Sequence, residues 1–473
     1  MPHLPRTCLL PLCLLLGTNV LHAQGATAAS VWLTTPDRVA LVALQPETLR
    51  FGPPGAAASL PQIVVDDRQT MQPIDGFGFA LTGGSAQLLI KMSPASRHAI
   101  LEELFGQTGS DIGVSYLRLS IGASDMNERV FTYDDLPEGQ TDPDLHHFGL
   151  GPDLADVVPV MREILAINPD IKILGTPWSA PSWMKSNGKP KGGSLKPEFY
   201  NAYANYLARY VNAMREQGIH IDAITPQNEP LNPKNTPSMV VTAEEEAAFL
   251  KQSLGPAFRK QHIATKIILY DHNCDRPDYP LTILADPDAA QYADGSGFHL
   301  YGGTIDAMSK VHDAAPKKNL YFTEQMVVDQ PKDGPDLAIA KPVQEIVIGA
   351  TSNWSRNVLL WNLAADPSFG PHTNDGGCPM CEGAITIDGD TVTRNRAFYT
   401  IAHASKFVRP GSVRIASTGG GDALPEVAFR RPDGKIVLLV ANPTSRSENF
   451  AIQSHGLTAK ASLPAGAVST YVW

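Results

Sequence analysis

Between residues 75 and 408 short apolar runs alternate with longer amphipathic stretches. The run VSYLRLS (114–120) precedes a helical pattern near Leu154–Asn168, and IKILGTPW (171–178) precedes KPEFYNAYANYLARYVNAMREQG (196–218). In that segment Phe199, Tyr203, Tyr206, Tyr210 and Met214 recur every three or four positions, the spacing of one helix face. Pro197 suits its first turn. The strings AITPQ (223–227), KIILY (266–270), GFHLY (297–301), NLYFTE (319–324) and NVLLWN (357–362) continue the alternation. With an early strand at Gly76–Leu81 there are eight strand candidates, which predict an α/β fold, a parallel (β/α)8 TIM barrel. An open doubly wound sheet competes with it, but no GxGxxG follows the first strand, so a dinucleotide site has no support.

The pattern changes on both sides. Residues 30–70 hold VWLTTP, VALVAL and IVVDD, short strands broken by Pro and Gly turns. After Pro410 come SVRIAST, PEVAFRRPDGKIVLLVAN and AVSTYVW, with PDGK as a hairpin turn. The simplest architecture joins residues 25–74 and 409–473 into one β-sandwich, built from both chain ends, beside the 75–408 barrel.

In such a barrel the chemistry sits at the C-terminal ends of the strands. There the sequence places Arg118, Trp178 and Trp183, Asn228 and Glu229, Asp271 to Asn273, His299 and Tyr301, Glu324, and Trp361 with Asn362. Each has a plainer reading alone. A strand-end Glu is often half of a structural ion pair. Trp178 fits a core, His299 fits a satisfied buried histidine, and Asp271 belongs to what could be a polar loop. Arg118 reads as a partner keeping a carboxylate ionised, and His146-His147 as a solvated loop rather than a metal site. What favours function is coincidence: seven successive strand ends carry residues of one chemical type. Two carboxylates, Glu229 and Glu324, would face each other among rings suited to stacking on sugar. Glycoside hydrolysis needs one carboxyl protonated for the leaving oxygen and one ionised for the anomeric carbon. Burial and mutual repulsion can separate their pKa values in that way.

Composition narrows the setting. The 473 residues are 43% hydrophobic and 18% charged, with net charge -10 and no Lys/Arg run, which argues against a nucleic-acid partner. MPHLPRTCLLPLCLLLGTNVLHAQGA has the weak basic start, short apolar run and small residues of a secretory signal, residues 1–24. Export to the periplasm or beyond is the expectation, and no later stretch is apolar for long enough to cross a bilayer. Of five cysteines, Cys274, Cys378 and Cys381 outlast signal removal. CPMC at 378–381 could be a redox or metal half-site, but it has no second CxxC and no nearby His at zinc-ligand spacing. A Cys378–Cys381 loop disulfide with a free, buried Cys274 is favoured.

The chain from Ile74 to Trp473 resembles glycoside hydrolase family 30, the glucosylceramidase-like enzymes, through IDGFG (74–78), YLRLSIGASD (116–125), TPWSAPSWMKSNG (176–188), QNEP (227–230), FHLY (298–301), FTEQ (322–325), WNLAADP (361–367) and HASKFVRPGSVRI (403–415). The resemblance implies a (β/α)8 barrel with a β-sandwich built from both ends. It makes Glu229 the acid/base and Glu324 the nucleophile of a retaining mechanism, with no metal or cofactor. Asn228 would bind the sugar 2-hydroxyl, Trp178 and Trp361 the glycone, and Arg118 would hold the nucleophile ionised. His299 and Tyr301 stand beside the nucleophile, and Asp271 joins them among the substrate-binding candidates. Two positions depart from the mammalian-type glucosylceramidase pattern: Gly83 replaces an Asp and Leu300 a Trp. GFGFALTGGSAQL, YDHNCDRPDYP and GGCPMCEGAITI instead resemble the bacterial branch that includes β-1,6-glucanases. The implied substrate is a β-1,6-glucan, with glucosylceramide, another β-glucoside or a xyloside as alternatives. A carbohydrate-binding protein with a decayed site is disfavoured by the presence of both carboxylates. A peripheral lipid substrate remains an alternative, though no basic amphipathic helix suited to a membrane surface is found.

Overall fold

The structure, a computed structural model, describes residues 1–2, 28–329, 334 and 336–473. Apart from its first two residues, the predicted signal segment lies outside the described residues. Eight parallel strands close into a barrel in chain order: Gly76–Leu81, Tyr116–Ile121, Lys172–Pro177, Ala223–Ile224, Lys266–Cys274, Ala293–Gly303, Asn319–Glu324 and Ser355–Asn362. These are the eight apolar runs of the sequence. Strands covered on both faces have no polar alternation to keep, which is why they read as continuous runs. GFGFAL, the first, is buried at every position. A Cβ on Gly78 would lie 1.9 Å from the Tyr116 carbonyl oxygen, so the first two strands approach closely only because Gly78 has none. Tyr116, Leu174, Ala223, Ile268, Tyr321 and Leu359, from six of the strands, form one buried cluster, a packed interior rather than a pore.

The helices follow their patterns. Tyr200–Glu216 buries Tyr203, Tyr206, Tyr210 and Met214, after a short turn at Pro197–Phe199. Val157–Ile167 starts at Asp156, whose side chain accepts from the Val157 N–H.

The β-sandwich interleaves both chain ends. Ala28–Thr34 pairs with Val468–Val472 and aligns Val31 with Tyr471. The sheet continues through Ile436–Ala441, Glu426–Arg430, Val413–Thr418, Gln62–Pro73, Glu448–Ser454 and Leu457–Leu463. In Ile436–Ala441 successive side chains point to opposite faces. Ile436, Leu438 and Val440 fill the sandwich interior, while Val437, Leu439 and Ala441 join the core shared with the barrel.

One local expectation fails. VALVAL forms only the two-residue strand Ala43–Leu44. Thr35 and Asp37 hydrogen-bond backbone N–H groups of Ala40 and Val39, and Arg38 and Val42 have positive φ (62° and 48°), so the segment is a turn. The hairpin Glu448–Ser454 with Leu457–Leu463 leaves little mark in the sequence, since its small Ala residues dilute the β-branched signal. No helix among the described residues is long and apolar enough to cross a membrane.

Candidate active site

Glu324 ends the seventh barrel strand, and Glu229 follows the short fourth one. The backbone around Glu229 is strained. Its φ is 44°, and Tyr270 and Asp271 on the fifth strand have φ of 72° and 56°. The pairing register skips Asp271: Tyr270 faces Gly297 and His272 faces Phe298. That bulge lets the Glu229 N–H donate to the Asp271 carbonyl at 3.0 Å. Two non-glycine distortions are therefore hydrogen-bonded to each other beneath the barrel mouth.

Single ligand atoms of Glu229, His299 and Glu324 all lie within 4.8 Å of one another. The two carboxylates line a cleft of about 580 Å³ together with Asp125, Trp178, Asn228, His272, Tyr301 and Trp361. The Trp178 and Trp361 rings meet at 5.3 Å between centroids and form its wall. Arg118, Asp271 and His299, expected among the substrate contacts, are not in the lining. All three are 0% exposed and form a charged layer under the carboxylates, because Arg118 has acidic partners on two sides that draw it inward.

Arg118 organises that layer. Nη1 donates to Glu324 Oε2 at 2.5 Å, and Nη2 donates to Asp271 Oδ2 at 2.8 Å and Asn228 Oδ1 at 2.7 Å. The guanidinium lies 4.9 Å from the Trp178 ring centroid. The Tyr301 hydroxyl donates to Glu324 Oε1 at 2.9 Å, so both Glu324 oxygens carry donors. His299 bridges two acids, with Nε2 3.0 Å from Asp271 Oδ1 and Nδ1 3.2 Å from Glu229 Oε1. Asn232 Nδ2 donates to the other Glu229 oxygen at 2.7 Å.

The charges are not arranged as two isolated carboxyls would be. Burial alone would raise Glu229, but the hydrogen bond and charge of His299, with the Asn232 amide, hold it at about 2. Burial opposes charge on His299 as well. The neighbouring Glu324, with the hydrogen bonds to Asp271 and Glu229, nonetheless lifts it to about 9. Burial pushes Glu324 up from the ordinary glutamate value against the pull of His299 and Arg118. Both shifts favour the histidine as the holder of the pair's proton.

Asp125 is a residue that sequence reasoning named only inside a motif. It is buried and lines the cleft, and burial plus repulsion from Glu324 and Glu229 pushes its carboxyl up to about 8. Its Oδ1 has no hydrogen-bond partner, and neither has Trp178 Nε1 on the same cleft. An acid in the first loop after the Arg118 strand was the available signal.

The two departures have a physical content. A Cβ on Gly83 would lie 1.9 Å from Asn127 Nδ2, so Asn127 occupies the space a side chain at 83 would need. Leu300 lines a neighbouring cavity with Gln325 and Met326, not the carboxylate cleft. Cys378 and Cys381 are joined, with Cα atoms 5.4 Å apart, and line the cleft; Cys274 is free and buried.

A closed barrel with paired carboxylates at its mouth, beside a wall of two tryptophans, is the arrangement of a sugar-cleaving hydrolase. Residues 74–408 match the glycosyl hydrolase family 30 TIM-barrel domain, and residues 411–471 match the family's beta sandwich domain. The chain belongs to glycosyl hydrolase family 30. It is 30% identical to the endo-1,6-beta-D-glucanase neg1 of Aspergillus fumigatus, over 97% of this chain and 98% of that one. It is 27% identical to the lysosomal acid glucosylceramidase of Mus musculus, over 87% of this chain and 83% of that one. The solved endo-β1,6-glucanase BT3312 superposes with a TM-score of 0.86 at 33% identity, covering 94% of this chain and 99% of that one.

Proposed function

We propose that the chain is an exported, retaining β-glycosidase that cleaves β-1,6-glucan, with Glu324 as nucleophile and Glu229 as acid/base. The observation that carries the retaining assignment is the approach of Glu229 and Glu324 oxygens within 4.8 Å. Carboxyls about 5–5.5 Å apart leave no room for the water that an inverting enzyme places between sugar and base. Arg118 and Tyr301 hold both Glu324 oxygens and aim it, and the Arg118 charge works against the rise that burial imposes.

The His299–Glu229 pair supplies the proton. Transfer from His299 Nδ1 to Glu229 Oε1 makes Glu229 the acid as Glu324 attacks the anomeric carbon. The glycosidic bond breaks, its oxygen takes that proton, and an ester to Glu324 forms. Glu229, now ionised, takes a proton from water. The resulting hydroxide attacks the anomeric carbon, Glu324 leaves, and the proton returns to the pair. Protonated Asp125 and the Trp178 N–H are placed to hydrogen-bond hydroxyls of the glycone.

Beyond Glu229 the cleft is bordered by Asn232, Lys234, Asn235, Asp275 and Arg276. A polar border suits a sugar leaving group better than paired acyl chains, and the endo-1,6-glucanase relatives support the same linkage. Glucosylceramide is the second reading. It is favoured by exposed Met380 and Phe369 on the loop that carries the disulfide. That disulfide and the N-terminal apolar run support export.

The purified protein should release gluco-oligosaccharides from a β-1,6-glucan and little glucose from glucosylceramide. The first anomer seen by NMR should be β. An α-anomer would overturn the retaining assignment, and glucose from the lipid alone would overturn the substrate. Glu324→Gln should lower kcat by about 10⁴-fold or more while glucan binding persists.

A further inference from the structure

The loop after the second barrel strand brings together Asp134, Asp142 and His147, three residues the reaction does not use. One ligand atom from each lies within 4.8 Å of the others. Asp134 is 1% exposed, and neither of its carboxylate oxygens has a hydrogen-bond partner. Trp183 Nε1 donates to the Asp134 backbone carbonyl at 3.0 Å. A buried carboxylate with both oxygens unpaired is costly, and such a group needs an explanation. Here a second buried carboxylate, Asp142, stands opposite it. Asp142 Oδ2 accepts from the His147 N–H at 2.8 Å and lies 2.9 Å from His147 Nδ1. The nearby Arg209 does not neutralise either acid, since its guanidinium bonds the carbonyls of Leu145 and Asp144.

We propose that Asp134, Asp142 and His147 bind a divalent transition-metal ion, and that the ion is zinc. The donor set selects the metal. Calcium and magnesium prefer oxygen ligands, whereas zinc accepts carboxylate and imidazole in one tetrahedral site. Two buried carboxylates supply the negative charge. His147, whose side chain is 68% exposed, closes the site on its solvent side and leaves a path for the ion. None of the three lines the catalytic cleft, so the ion is structural. It would pin the same loop that delivers Asp125 to the cleft and supports Trp183. The sequence alone reads His146-His147 as a solvated loop. The proposal departs from that reading at His147 alone, because Asp142 and Asp134 come from positions with no recognisable ligand spacing.

The test uses the purified full chain, stripped with chelator and dialysed against zinc or calcium alone, with bound metal counted by mass spectrometry. Wild type should hold about one zinc per chain and gain thermal stability from it. Asp134→Asn should lose the zinc, and His147→Ala, a change at an exposed side chain that leaves folding intact, should weaken binding by about 10-fold or more. No stoichiometric zinc in wild type overturns the proposal, and so does calcium bound as well as zinc. Zinc retained by Asp134→Asn and His147→Ala but lost in Glu324→Gln would place the ion on Glu229, His299 and Glu324, and would also overturn it.

Discussion

Two fully buried histidines show how differently this chain uses burial at the barrel mouth and at the seam between barrel and sandwich. His299, at the mouth, lies between Asp271 and Glu229 and is held charged, with its pKa lifted to about 9. His403, on the helix Arg396–Ser405, lies at the seam. Its nitrogens meet Thr470 Oγ1 at 3.0 Å and Thr34 Oγ1 at 2.7 Å, one hydroxyl from each chain end. No charge acts on it, and burial alone pushes it down to about 3. Desolvation opposes charge at both sites; a countercharge decides whether it wins. The mouth retains a poised proton and unpaired polar atoms, whereas at the seam His403 and the two threonines satisfy one another.

Removing the countercharge network should have the largest effect. Arg118→Met leaves Asp271 and Glu324 buried without their cation. Breaking a buried pair this way costs about 3–5 kcal/mol. Chemical denaturation should show a loss of that size, and kcat should collapse because Glu324 is no longer held ionised. A stable, active Arg118→Met variant would show that His299 alone carries the countercharge.

Next comes the proton itself. The proposed mechanism requires a proton on the His299–Glu229 pair and none on Glu324. The rate should therefore fall as pH rises through about 9, where His299 loses its proton, and on the acid side as Glu324 becomes protonated. In His299→Gln the pair's proton is lost at the pKa of Glu229 alone. The basic limb should move down in pH, and kcat should drop by about 10²–10⁴-fold, the usual worth of general acid catalysis. An unmoved basic limb would mean that His299 is only packing.

Much of this contrast was legible in the sequence, for reasons that differ by region. The barrel strands stood out because burial on both faces makes them continuous apolar runs. Glu229, Glu324, His299 and Tyr301 stood out because they interrupt or end those runs, and Arg118 because a cation inside VSYLRLS must have a buried partner. Asp125 and Asp134 lie in an irregular loop without periodicity, and only tertiary packing brings them to their neighbours. The contact of His299 with Glu229 was illegible for the same reason. Two glutamates in a sequence do not reveal that His299 stands against one of them. His403, in HASKFVRPG, carried no mark of its environment, since both partners come from the far ends of the chain.

The seam should respond more modestly than the mouth, and on the other pH flank. His403→Leu removes two hydrogen bonds but leaves Thr470 donating to the carbonyl of residue 403 and Thr34 accepting from the Val42 N–H. The expected loss is about 1–3 kcal/mol, with the pH–rate profile unchanged. The linkage signs are opposite. His403 is depressed in the folded state, so its contribution is present above its ordinary value of 6.5 and is lost as pH falls toward 3. His299 is raised, so its contribution is full below 6.5 and is lost as pH rises through about 9. Stability measured across pH in the two single variants should therefore diverge from wild type on opposite sides.

The smallest effect should come from the Cys378–Cys381 bridge, which tests whether the cleft wall is set by the barrel or by the loop outside it. The bridge closes a loop of sequence separation 3, and so short a loop removes far less chain entropy than the long loops through which disulfides stabilise most. Global unfolding should barely shift on mild reduction. Cys381, however, packs in the same buried cluster as Trp178 and Trp361. Releasing it loosens the wall without touching Arg118, Glu324 or His299. KM for the glucan should rise several-fold while kcat and both pH limbs stay where they were. A fall in kcat instead would show that the disulfide loop helps hold the reacting carboxylates, and that the division between a rigid charged floor and an adjustable aromatic wall is wrong.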